Sequence, residues 1–148
     1  MNRLDKEEFV IGSISLLANK INFFGDGIFP DLTFKQWFLL LMIGKMDNKD
    51  KTLNSIAQVV GTSRQNVKKM LGTLEAKGYV SVEKSKRDRR ALNIELTAKT
   101  FDFFAANNEA TALETKKLFA PFSNEDLASF VKGLEKFLYC FELYERKG

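Results

Sequence analysis

The chain has 148 residues, of which 45% are hydrophobic and 28% charged, with a net charge of +4. That is one domain's length, with enough apolar content for a core. It holds no histidine and a single cysteine, which excludes a histidine base, a Ser-His-Asp triad, a histidine-ligated metal and an internal disulfide.

Neither a GxxxxGK[ST] phosphate loop nor a GxGxxG turn is present, so no nucleotide cofactor is indicated. We expect no enzyme, no metal and no cofactor. No apolar run reaches the roughly 18 residues that span a bilayer, and the first nine residues, MNRLDKEEF, lack an apolar signal core. These features, with the lone cysteine, point to a cytoplasmic protein without a membrane partner. The 14 phenylalanines imply thick aromatic packing.

Residues 8–24 carry Val10, Ile14, Leu17, Ile21 and Phe24 at helical spacing. Gly25-Asp26-Gly27 is expected to break that helix. Pro30-Asp31-Leu32-Thr33 forms a loop into a second helix, with Thr33 as N-cap and Gln36 completing a capping box. Phe34, Trp37, Phe38, Leu41 and Met42 follow at helical spacing. Residues 47–50 read as a polar loop.

The next stretch, 52–97, reads as helix, turn, helix and two strands. Thr52 caps a helix whose apolar face is Leu53, Ile56, Ala57 and Val60, and Gly61 ends it. Thr62-Ser63 restarts the chain. In the second helix Val67, Leu71 and Leu74 point inward with Met70 beside them, while Arg64, Gln65, Lys68, Lys69 and Thr73 point away. Lys77-Gly78 closes it. Val80 and Val82, then Leu92, Ile94 and Leu96, alternate as half-buried strands do. The basic loop 83–90 joins them. From Ser63 to Arg90 nine cations stand against three anions, so this module is positive and the remainder slightly negative, as in nucleic-acid binders.

Thr97 is the expected N-cap of a helix reaching about Leu118, with Phe101, Phe104, Ala105, Ala112 and Leu113 along it and a polar break at Asn107-Asn108. Ser123 caps the last helix, with Asp126 three residues on. Its stripe is Leu127, Phe130, Val131, Leu134, Phe137, Leu138 and Phe141.

Three local patterns resemble the MarR (multiple antibiotic resistance regulator) family. Leu32-Thr33 with Gln36-Trp37 is similar to the family's LT-x-x-Q-aromatic opening of its second helix. Leu74-Glu75-Ala76-Lys77-Gly78-Tyr79-Val80 is similar to the turn after its recognition helix. Asp88-Arg89-Arg90, with Leu96-Thr97 eight and nine residues after the aspartate, is similar to its wing. One departure is visible: the family often has glycine three residues after the wing's final threonine, and here Thr100 stands there.

The fold class expected is mainly α, a winged helix-turn-helix (31–97) with a two-stranded wing and a helical dimerisation region from both termini (1–30 and 98–148). The resemblance implies a homodimer in which the terminal helices of two subunits interlock. Val10, Ile14, Leu127, Val131, Leu134, Phe137, Leu138 and Phe141 would form the interface. A two-fold dimer reads a pseudo-palindrome with half-sites about one turn, roughly 10 bp, apart.

On double-stranded DNA, Arg64, Gln65, Asn66 and Lys69 are the candidate base readers, since arginine suits guanine and Asn or Gln suits adenine. Lys68 suits phosphates. Thr62 and Ser63 suit a phosphate at the helix N-terminus, and Thr73 shares the outer face. The resemblance makes Arg90 a minor-groove arginine, oriented by Asp88 through a charge-assisted hydrogen bond. Lys84, Lys86, Arg87 and Arg89 would supply salt-dependent backbone contacts. It also implies a small lipophilic or aromatic effector and the role of a ligand-released repressor.

Blander readings compete. Gln65, Lys68 and Lys69 could be only a solvated helix face, and Asp88–Arg90 only a hairpin salt bridge. Trp37 and the phenylalanines belong first to the core. Cys140, beside the Phe137–Phe141 stripe, reads as a small buried hydrophobe; Lys136 is the one cation a turn before it, a thin basis for a redox switch. The alternative function is a winged-helix adaptor that binds another protein without sequence-specific DNA binding.

Overall fold

The computed structural model describes residues 1–47 and 50–147. Among them the order is α1 (Arg3–Ile28), α2 (Phe34–Lys45), β1 (Asp50–Thr52), α3 (Leu53–Val60), α4 (Arg64–Ala76), β2 (Val80–Lys84), β3 (Ala91–Leu96), α5 (Ala98–Leu118) and α6 (Asn124–Lys147). The chain is mainly helical with one small antiparallel sheet, the winged-helix class expected. It divides into two compact units, Met1–Asn108 and Glu109–Gly148. No helix among the described residues is long and apolar enough to cross a membrane.

In the first unit, α1 starts at Arg3, earlier than its apolar stripe suggests. Asn2 and Asp5 form a reciprocal capping box, at 2.9 and 3.0 Å, that begins the helix. Gly25-Asp26-Gly27 does not break it, contrary to expectation. The helix continues to Ile28 with Gly25 buried, because Gly25 is a packing site: a Cβ there would stand 2.2 Å from Phe34 Cδ2. Asp26 serves the next helix, its Oδ1 accepting from the Phe34 amide at 2.7 Å.

The Thr33–Gln36 capping box of α2 forms as expected, at 3.1 and 3.2 Å. The deepest α2 side chains, however, are Leu39, Leu40 and Ile43, which the 34-37-38-41-42 spacing passes over. A helix apolar on every side carries no stripe to choose between. Trp37 is half-buried and stacks on Phe29 with centroids 5.1 Å apart.

Of the polar loop expected at 47–50, Asn48 and Lys49 lie outside the described residues. Asp50 begins β1, which pairs with β3 from Asp50↔Asn93 to Thr52↔Ala91. This strand joins the two-stranded wing in the order β1-β3-β2. Its three residues, Asp-Lys-Thr, carry no alternation; the strand exists through its backbone pairing.

The α3 helix follows its expected bounds, with Thr52 capping Ser55 and Gly61 in the left-handed region at φ +72°. Ile56 and Ala57 are buried. Val67, Leu71 and Leu74 of α4 are buried as read from sequence. Its end is a Schellman motif: the Tyr79 amide donates to Leu74 O and the Gly78 amide to Glu75 O, both at 2.9 Å, with Gly78 at φ +83°. In the wing β2 pairs with β3 from Val80↔Leu96 to Lys84↔Leu92, so Glu83 and Lys84, expected in the loop, belong to the strand. Val80 and Ile94 face the core.

Thr97 precedes α5 but its hydroxyl does not cap it in the expected way. The hydroxyl lies 2.6 Å from Gly78 O and 3.1 Å from Tyr79 O, donating back to the α4–β2 turn. The Thr97 carbonyl accepts from the Thr100 and Phe101 amides. On α5 the buried aromatic is Phe103; Phe101, expected on the apolar face, is 59% exposed. The helix runs unbroken through Asn107-Asn108, where Asn107 Nδ2 donates to Phe103 O at 2.9 Å.

In the second unit, Ser123 and Asp126 form the capping box of α6, at 2.9 and 3.0 Å. Phe119, Phe122 and Phe130 cluster at the α5–α6 turn, with centroids 5.5 and 6.2 Å apart. No described residue of α6 is buried.

Candidate nucleic-acid interface

Helix α4 is amphipathic in the way its sequence requires. Val67, Leu71 and Leu74 anchor it to α3 and the sheet. That rotation leaves Arg64, Gln65, Asn66, Lys68, Lys69 and Thr73 exposed. Ser63 is the N-cap, its Oγ accepting from the Asn66 amide at 3.2 Å. Thr62 Oγ1 accepts from Asn66 Nδ2 at 3.1 Å, so Thr62, Ser63 and Asn66 form one cluster at the helix N-terminus. The Asn66 carboxamide is held by its own neighbour, with its oxygen and second N–H left for a partner. The Thr73 hydroxyl donates back to Lys69 O at 3.2 Å.

Gln65, Lys68, Lys69, Gly72, Thr73, Ala76 and Lys77 line one shallow depression along α4. Gly72 and Ala76 were passed over in the sequence, although they fall four and eight residues after Lys68. Nothing lies within 4 Å of a Cβ built at Gly72. Small residues between long polar ones let a partner approach the helix closely.

The wing is fastened to this helix. Glu75 Oε2, from the next-to-last residue of α4, accepts from the Val82 amide of β2 at 2.9 Å. At the wing tip the buried Ser85 Oγ accepts from the Arg87 and Asp88 amides at 3.2 and 3.3 Å. Asp88 Oδ1 accepts from the Arg90 amide at 3.0 Å. The Arg90 Nε lies 3.6 Å from that same oxygen, an ion pair rather than the side-chain hydrogen bond expected. With the Arg90 side chain 89% exposed, such a pair contributes little to stability, and the guanidinium stays free to reach outward. Lys84, Lys86, Arg87 and Arg89 are also exposed.

Of the interface residues expected on α1, Val10 is exposed and Ile14 half-buried. On α6, Leu127 and Phe137 are half-buried, while Val131, Leu134, Leu138 and Phe141 are exposed. Cys140 is exposed rather than buried, as no described residue of α6 is buried.

Residues 31–91 match the model of the MarR family. Among solved structures the chain is similar to the transcriptional regulator BldR from Sulfolobus solfataricus, at 20% identity and a TM-score of 0.79, over 94% of this chain and 99% of that one. It is similar to a MarR mutant from E. coli complexed with operator DNA, at 17% identity and a TM-score of 0.78, over 93% and 99% of the two chains. It is also similar to PcaV from Streptomyces coelicolor, in complex with its natural ligand, at 15% identity and a TM-score of 0.72, over 84% and 88%. The MarR family match thus spans the winged module, residues 31–91, and the chain shares its winged-helix fold with these solved structures over most of its length.

Proposed function

We propose that the protein is a dimeric, sequence-specific DNA-binding transcriptional regulator. The observation that carries this reading is the exposed polar face of α4, tied through Glu75 to a wing whose exposed tip bears Lys86, Arg87, Arg89 and Arg90. On DNA, α4 enters the major groove N-terminal end first. Arg64, Gln65, Asn66 and Lys69 read bases, and Lys68, Thr62 and Ser63 hold phosphates. Thr73 lies farther along the same face. Arg90 reaches the minor groove, oriented by Asp88, and Lys84, Lys86, Arg87 and Arg89 neutralise backbone charge. The E. coli relative bound to operator DNA supports the same mode of docking here.

The dimer forms through residues 1–30 and 98–148, and 31–97 bind DNA. Support comes from α6, where Phe130, Val131, Leu138 and Phe141 are each more than a third exposed; apolar area of that extent marks an interaction surface. Two-fold symmetry then sets a pseudo-palindromic operator. The protein acts as a repressor in the cytoplasm, released by a small lipophilic or aromatic ligand, a reading supported by the relative with its natural ligand. A basic, exposed wing weighs against an adaptor that binds only protein.

Sedimentation and duplex binding test this together. The expected result is a dimer that binds a specific duplex, with Arg90→Ala and Lys69→Ala each losing affinity while remaining dimeric. Unchanged binding in both variants overturns the contact assignments, and a monomer at binding concentrations overturns the dimer.

A further inference from the structure

We propose that Tyr79 is a positioning residue for DNA binding, clamping the three-residue link between the recognition helix and the wing to the α1–α2 loop and to the start of α5. The claim rests on the reading above that α4 and the wing bind DNA together.

Lys77 and Gly78 alone separate α4 from Tyr79, and β2 begins at the next residue. Gly78, in the left-handed region, is where a loose wing could swing against α4. Tyr79 is held at every polar atom it has. Its amide donates to Leu74 O. Its carbonyl accepts from the Thr97 amide and hydroxyl, both at 3.1 Å, and from the Thr100 hydroxyl. Its phenol donates to Asp31 Oδ2 at 2.6 Å. Tyr79 as a whole is only 2% exposed, its ring set edge-on to Phe103 with centroids 5.7 Å apart. Lys99 Nζ sits 4.5 Å above it.

Lys77 is gripped by the same neighbours. Its Nζ donates to Asp31 O at 2.7 Å, and its carbonyl accepts from Lys99 Nζ at 2.6 Å. Asp31 and Lys99 therefore engage the link twice each. A buried tyrosine with a satisfied hydroxyl is by itself an ordinary core feature. Here, though, it is the residue between two DNA-contacting elements that carries the bonds. Holding this link in one conformation before binding spares the entropy of ordering the wing on DNA.

Tyr79→Phe keeps the ring and removes the bond to Asp31; Asp31→Ala removes it from the other side, on an exposed loop. We expect each to weaken binding to the selected duplex by about tenfold. Their combination should weaken it little further, because the Tyr79–Asp31 bond is lost in all three and the other contact of that carboxylate, an exposed ion pair 3.7 Å from Lys77 Nζ, contributes little. Asp31→Asn, which keeps an oxygen acceptor, should recover most of the affinity. In both weakened variants amide exchange should quicken across residues 80–91 while the α2 core amides hold. Binding of Tyr79→Phe within about twofold of the wild type, with unchanged exchange in the wing, overturns the proposal. So do losses that multiply in the double variant. If the wild type binds no duplex, the regulator reading fails, and the exchange pattern alone still decides whether Tyr79 fixes the wing.

Discussion

Gly25 of α1 and Phe34 of α2 meet with no room for a side chain on the first. A Cβ at position 25 would stand 2.2 Å from Phe34 Cδ2 and 2.6 Å from its Cβ and Cγ. Phe34 Cβ is fixed by the helix backbone, so the clash cannot be relieved by turning the ring alone. Gly25→Ala should destabilise the protein by about 1–3 kcal/mol, the usual range for overpacking. Gly27→Ala, two residues on in the same helix with nothing within 4 Å, should stabilise it by up to about 1 kcal/mol through helix propensity. Urea denaturation of both checks the pair. Equal effects would show that the contact does not constrain the two helices.

That relationship also marks where the sequence was legible and where it was not. Capping boxes are local, so Thr33 with Gln36 and Ser123 with Asp126 could be read directly. The amphipathic faces of α3 and α4 were equally plain. Gly25-Asp26-Gly27 read as a break because glycine lowers helix propensity; the reason for Gly25 is a contact nine residues away with Phe34. The β1 strand owes its existence to pairing with Asn93, Leu92 and Ala91, which no property of Asp50-Lys51-Thr52 announces. The outer face of α4 and the basic wing were visible as charge. The fastening of one to the other, through Glu75 and through Tyr79 with Asp31, depends on residues 7 and 48 positions apart and was not.

Thr100, in place of the glycine frequent in the family, is fully buried and donates to Tyr79 O. Its hydroxyl thus ties the start of α5 to the residue just before β2. Thr100→Val, close in shape without the hydroxyl, should cost about 1 kcal/mol of stability, since Tyr79 O keeps the Thr97 donors. Thermal melting measures this; an unchanged melting temperature would mean the bond contributes nothing net.

The pair Asp31–Tyr79 sets a dependence on pH at both extremes. The hydrogen bond from Tyr79 holds the Asp31 carboxyl below its ordinary 3.8, helped by Lys77 and Lys99 and opposed by desolvation. A lowered folded-state pKa stabilises above the unfolded value, and that stability fades as pH falls through the folded value. Burial first, then the bond to Asp31 and its charge, push the Tyr79 phenol up from 10.0 to about 12. A raised folded-state pKa gives stability that is complete below 10.0 and lost as pH rises toward about 12. Tyr79→Phe should flatten the alkaline limb of the stability profile and Asp31→Asn the acid limb. Wild-type-like limbs in the variants would contradict the assignment.

On DNA the two parts of the interface should separate by their salt dependence. Arg89→Ala or Lys86→Ala should weaken binding to all duplexes alike and reduce the slope of log affinity against log salt by about 1 each. Gln65→Ala or Asn66→Ala should leave the slope nearly unchanged and relax the choice of base at one position per half-site. Titrations at several salt concentrations distinguish these patterns, and a wing variant with an unaltered slope would remove that cation from the interface.

The central claim, that this chain reads DNA sequence as a two-fold dimer, is tested most directly by selecting bound duplexes from a randomised pool at two salt concentrations. The account predicts enrichment of one pseudo-palindrome with half-sites about one helical turn apart, retained at the higher salt. Recovery of unenriched duplex that vanishes at the higher salt, or no recovery at either, would contradict it.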